Sequence, residues 1–152
     1  MSRVRSSAGF SLLELMIALG VAAIIATFAI PAYQSHVAKA HRLDAAAALF
    51  KAVQFVESAR LSQSGAGTVA LSAGIDQAPS SGMAVYRLTL LPESATNGGY
   101  TIEAAPVSPG PMEADACGVF AIDATGSRSN RLTDGAAALD AAKSAACWTG
   151  KG

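Results

Sequence analysis

Few residues in this chain are of a type and spacing that could do chemistry. Glu14 is the most conspicuous. It is the one charge in the apolar run FSLLELMIALGVAAIIATFAI, from Phe10 to Ile30. A carboxylate at mid-bilayer costs about 2.5–3.5 kcal/mol to insert, and less near the interface. Such a group is either functional or a charge favoured by the helix dipole one turn from a helix start. Cys117 and Cys147 are the only two cysteines. With no C-x-x-C and no nearby histidine, a redox or metal role has little support. His36 and His41 are five apart and share a face poorly, so they read as solvated or interfacial. Asp115, Asp123 and Asp134 fit no recognised calcium rhythm. No G-x-S-x-G, P-loop, H-E-x-x-H or EF-hand loop occurs, and Gly65-Ala-Gly67 has no following lysine. These residues point away from an enzyme and imply no cofactor.

The elements that must carry these groups begin with an anchor. The chain has 152 residues, 51% hydrophobic and 14% charged, against roughly 25% charged in an ordinary soluble domain. The excess of apolar sequence has one location, Phe10 to Ile30, which meets the roughly 20 residues that span a bilayer. Arg3 and Arg5 precede it, so the body that follows is expected outside the cytoplasm. Ile30-Pro31-Ala32-Tyr33 is a poor A-x-A cleavage site, and the small pair Ala8-Gly9 comes before the run instead of after it. Both observations argue against an ordinary signal peptide. If the body lies outside, a Cys117–Cys147 disulfide is the default expectation, contributing about 3–4 kcal/mol in the chain-entropy picture.

Helical sequence continues past Pro31, which should kink the helix. Leu43, Ala46, Leu49, Val53, Val56 and Ala59 recur at three- and four-residue steps and make one apolar stripe, with Asp44, Lys51 and Ser58 on another face. The pattern fades at Ser62–Gly67. From Phe10 to Leu61 a straight helix would be about 80 Å long. Residues 68–83 read as a loop. The period then changes to two: Ala84–Leu91, Tyr100–Ala105, Cys117–Asp123 and Ser127–Thr133 are strand candidates separated by Gly, Pro and Asn turns. Together they predict an antiparallel meander over the amphipathic half of the helix, an α+β arrangement. Asp134-Gly135 could cap a short helix from Ala136 to Ala146, or that stretch is an alanine-rich loop.

Gly9-Phe10-Ser-Leu-Leu-Glu14, opening an apolar helix, resembles the class III signal of type IV pilins and pseudopilins. Tyr100–Pro106, Asp115-Ala-Cys117-Gly118, Ala121-Ile-Asp123-x-x-Gly126 and Cys147-Trp148 resemble the PilE-type minor pilins of type IVa systems. The resemblance implies the type IV pilin fold, with a C-terminal disulfide loop. It implies three parts: residues 1–9 a cleaved leader, 10–30 the membrane and filament-core half of the helix, and 31–152 a head containing the amphipathic half. A prepilin peptidase would cut between Gly9 and Phe10 and methylate the new amine of Phe10. Glu14 would pair with the N-terminal amine of a neighbouring subunit. Two unit charges 4 Å apart attract by about 4 kcal/mol at an effective dielectric near 20, comparable with the insertion cost. Trp148 would close the edge of the core.

The implied function is that of a structural subunit of a type IV pilus. It would sit in the bacterial inner membrane with a periplasmic head, then on the cell surface. Its partners would be other pilins, the peptidase and the inner-membrane assembly machinery. Motility, adhesion and DNA uptake are the activities such filaments serve. A pseudopilin of a type II secretion system shares the N-terminal signal, and a plain anchored protein would lack the cleavage. A DNA-binding pilin of a competence system is a further reading, with Arg87, Arg128, Arg131, Lys143 and Lys151 as candidate contacts. Losing Arg3 and Arg5 takes the eleven basic side chains to nine, against eleven acidic ones. A head of that balance gives nucleic acid no support as a partner.

Overall fold

The computed structural model describes residues 10–62, 69–135 and 137–151. The chain divides into two compact units, one ending at His36 and the other beginning at Val37. A single helix, α1 (Leu12–Ser62), runs through both, with Glu14 in its first turn and Pro31 in its interior. Residues 1–9, which the sequence reading takes as a leader, residues 63–68, Ala136 and Gly152 lie outside the described residues.

In the first unit the helix is long and apolar enough to cross a membrane, and none of its most apolar window is buried. Phe10, Leu13, Ile17, Ile24 and Phe28 are all exposed. Such a surface needs lipid or neighbouring helices, because water gives it nothing to pack on. Pro31 has no N–H to offer its preceding turn, yet the helix runs through it unbroken.

The second unit is a five-stranded antiparallel sheet in chain order: β1 (Gln77–Ala78), β2 (Tyr86–Leu91), β3 (Thr101–Pro106), β4 (Val119–Asp123) and β5 (Arg128–Arg131). The registers bring the large apolar side chains together on one face. Leu88 opposes Ala104, Leu90 opposes Ile102, Ile102 opposes Ile122, and Ala104 opposes Phe120. Tyr86, Ile102, Ala104 and Phe120 are fully buried there. Arg87 and Thr89 face out, as the alternation predicts. The core is completed by Ala45, Leu49, Ala52 and Val56 of α1.

Four expectations need correction. The buried stripe of α1 starts at Arg42, and Leu43 is half exposed. Burial follows Arg42, Ala45/Ala46, Leu49, Ala52 and Val56, one residue out of step with the expected stripe at its start. Arg42 goes in because an acid waits for it. Residues 68–83 are not all loop: β1 pairs Gln77 with Arg87 and Ala78 with Tyr86. A two-residue strand has no periodicity to detect. The short helix is α2 (Ala141–Trp148), not Ala136–Ala146. Residues 137–139 instead extend the sheet edge, with the Leu132 amide donating to Ala137 O and the Leu139 amide to Asn130 O. Finally, the cap is Asp140, whose carboxylate accepts from the Lys143 amide at 2.9 Å. That hydrogen bond holds the Asp140 carboxyl below its usual range.

Candidate functional site

The N-terminal processing residues fall at the edge of what is described. Gly9 lies outside the described residues. Phe10 is 77% exposed and precedes the helix. Glu14 sits one turn in and is exposed too, like most of the apolar stretch around it.

Cys117 and Cys147 are joined, with Cα atoms 5.7 Å apart. The bond ties the segment before β4 to the last turn of α2. Gly118 makes the approach feasible: its φ is +54°, and a Cβ there would come within 2.2 Å of Arg131 O. Asn130 adds a second tie that the sequence did not reveal. This fully buried residue donates from Nδ2 to Cys117 O at 3.0 Å and accepts from Ser144 Oγ at 2.8 Å. One side chain thus joins β5, the disulfide segment and α2.

Arg42 and Asp115 form the third tie. Arg42 Nη2 donates to Asp115 Oδ1 at 2.6 Å, and Nε donates to both carboxylate oxygens at 3.1–3.2 Å. Both side chains are nearly out of solvent. Asp115 Oδ2 also accepts from the Cys117 amide. Asp115 is therefore the anchor of the disulfide segment on α1, and not a calcium ligand. Burial, with the Asp115 charge adding to it, pushes the nearby Tyr86 hydroxyl up.

Trp148 closes the core edge as expected. It packs edge-on to Phe120 at 5.5 Å and to Phe50 at 5.9 Å between ring centroids, and Phe120 packs edge-on to Tyr86. His36 is exposed; His41 is half-buried, with an Nδ1 that lacks a hydrogen-bond partner. Asp123 folds its own turn, accepting from the amides of Thr125 and Ser127. Among the described residues no cluster of His, Cys, Asp and Glu could hold a metal.

The five basic candidates do not form one set. Arg87 is paired with Asp76 at 3.4 Å, Arg131 with Glu103 at 2.7 Å, and Lys143 with Asp140 at 3.4 Å. The Glu103 carboxylate raises the Arg131 pKa further. Arg128 lies over the Trp148 ring, 5.7 Å from its centroid, and Lys151 follows α2 in an exposed position. Arg60 was not among the candidates. It lies over the Tyr100 ring at 5.4 Å, with Glu57 3.9 Å away.

Comparison with protein families matches residues 4–30 to the prokaryotic N-terminal methylation motif. Residues 31–121 match the family described as "Type IV minor pilin ComP, DNA uptake sequence receptor". A search of curated proteins finds no match. The second family match covers more than half of the 152 residues and takes in the amphipathic half of α1 and strands β1 to β3. With an N-terminal methylation motif, a long apolar helix and a disulfide-closed α+β head, the chain belongs to the ComP family of type IV minor pilins.

Proposed function

We propose that this minor pilin is a DNA-capturing subunit of its filament. One observation carries the reading: the head matches a family whose description is that of a DNA uptake sequence receptor. The charge pattern alone does not suggest it, since three of the five candidate cations are held by carboxylates. The match to a pilus family leaves the secretion-system pseudopilin unfavoured.

The route to the filament follows from the N-terminal motif, whose match spans Gly9, Phe10 and Glu14. A prepilin peptidase cuts after Gly9 and methylates Phe10. The helix holds the subunit in the inner membrane, with the head in the periplasm, until the assembly machinery extracts it. Glu14 then meets the amine of a neighbouring pilin, and Pro31 marks a kink in the helix just beyond the membrane. The pilin families are structural, and the chain acts here as a substrate for processing.

The test is direct binding by the full chain in detergent micelles. One labelled duplex carries the short word most over-represented in the genome of the native cell; a second has the same composition shuffled. Fluorescence anisotropy should show tighter binding to the first by at least about 10-fold, with affinity falling steeply as salt rises. Equal affinity for both would remove the receptor reading, and no binding to either would remove DNA capture altogether.

A further inference from the structure

Most cations of the head already face an acid. Arg42, Arg87, Arg131 and Lys143 are in ion pairs, and Arg60 has Glu57 nearby. Among the described residues Arg128 has no ion-pair or hydrogen-bond partner. Its guanidinium lies over Trp148, which fixes the plane of the cation and leaves its N–H fork unclaimed. Beside it a groove of about 320 Å³ opens between the start of β5 and α2. The grooves at Asp44 and Lys51, and at Asp140 and Lys143, each hold one charge of either sign, and the groove at Arg60 holds a cation that has Glu57 3.9 Å away. The groove at Arg128 holds a cation and no acid.

A second observation points the same way. The indole N–H of Trp148, which also lines this groove, is buried without a hydrogen-bond partner, and the residue as a whole is only 7% exposed. Its aromatic neighbours Phe50 and Phe120 offer only π faces, which are weak acceptors. The groove's hydroxyls are engaged elsewhere: Ser144 Oγ donates to Asn130, and Thr149 Oγ1 to carbonyls of α2. The remaining walls are glycine and alanine. What is left uncommitted is two donors and one positive charge. That set fits an oxyanion such as a backbone phosphate, which a guanidinium fork and one further N–H donor can hold together.

We propose that the Arg128–Trp148 groove seats one backbone phosphate of bound DNA. This rests on the DNA-capture reading above and goes beyond it, because β5 and α2 lie outside the matched residues 31–121. The guanidinium fork pairs with two phosphate oxygens. The indole N–H, buried and unpartnered in this structure, becomes the second donor once the phosphate is seated. The seat adds affinity and sets register; sequence is read elsewhere on the head.

Arg128→Gln tests it in the full chain, with the same two duplexes across a salt series. Affinity should fall about 10-fold for both duplexes alike, and the slope of log K against log salt should lose about one unit. Trp148→Phe keeps the ring and removes the N–H; it should weaken both duplexes a few-fold with the slope unchanged. Mass spectrometry of the disulfide and circular dichroism confirm that each variant is folded. If wild type binds DNA and Arg128→Gln leaves affinity and slope unchanged, the seat is wrong and DNA capture stands. If the variant loses discrimination between duplexes, Arg128 reads bases and the seat is also wrong. If wild type binds neither duplex, the DNA-capture reading falls and takes the seat with it.

Discussion

Replacing Cys117 and Cys147 by serine lowers the stability of the head by about 3–4 kcal/mol, the chain-entropy value for a loop of this size. The bond spans a sequence separation of 30 and closes β4, β5 and α2 into one loop. Without it α2 is held by Asn130, by Ser144 and by the packing of Trp148. These are too few contacts to order an eight-residue helix, which is marginal on its own. The loss should therefore begin at α2. Trp148 is the only tryptophan, so its fluorescence reports that end of the molecule, while far-UV circular dichroism reports α1. In the double serine variant, urea should release Trp148 at a lower concentration than it melts α1. A loss of under about 1 kcal/mol, or coincident transitions, would show that the core alone orders α2.

The second large effect is expected at Asp115. Asp115→Ala removes the buried carboxylate that the Arg42 guanidinium and the Cys117 amide both donate to. Removing one member of a buried pair typically costs about 3–5 kcal/mol, mostly because the remaining charge is stranded. Replacing both, with Arg42→Met and Asp115→Ala, removes that charge as well, so the double variant should recover most of the loss. The double-mutant cycle, read by urea unfolding, separates the two explanations. Additive losses would mean that the pair contributes through packing alone. Recovery would show that most of the single-variant loss comes from the Arg42 charge left in a buried site.

The N-terminal half of this protein was legible from Glu14 and the apolar run around it. The charge inside such a run drew attention to the segment, and its spacing from Gly9 and Phe10 carried the resemblance that the N-terminal methylation motif match bears out. Strands β2 and β3 were legible because burial alternates along them with a period of two, whereas β4 is buried on both faces and showed as a short apolar run between turn signals. What escaped was everything set by tertiary pairing. Arg42 broke the apolar stripe because its partner, Asp115, lies on a distant segment. β1 was too short to show a period. The start of α2 was misplaced because Asp134 and Asp140 are equally good caps in sequence. Only the pairing of residues 137–139 with β5 decides between them. Asn130 gave no signal either, since a lone asparagine between two arginine-bearing positions reads as surface. Of the five basic candidates, Arg87, Arg131 and Lys143 are paired with acids. Their partners decided which were available, and those are visible only in the fold.

The central claim is that this chain is a processed minor pilin carried in a filament. Intact and peptide mass spectrometry of filaments sheared from the native cell tests it most directly. The account predicts a chain that begins at N-methylated Phe10, carries the Cys117–Cys147 bond, and is present at a small fraction of the principal subunit. A chain found only in membranes and still carrying Met1 to Gly9 would contradict it.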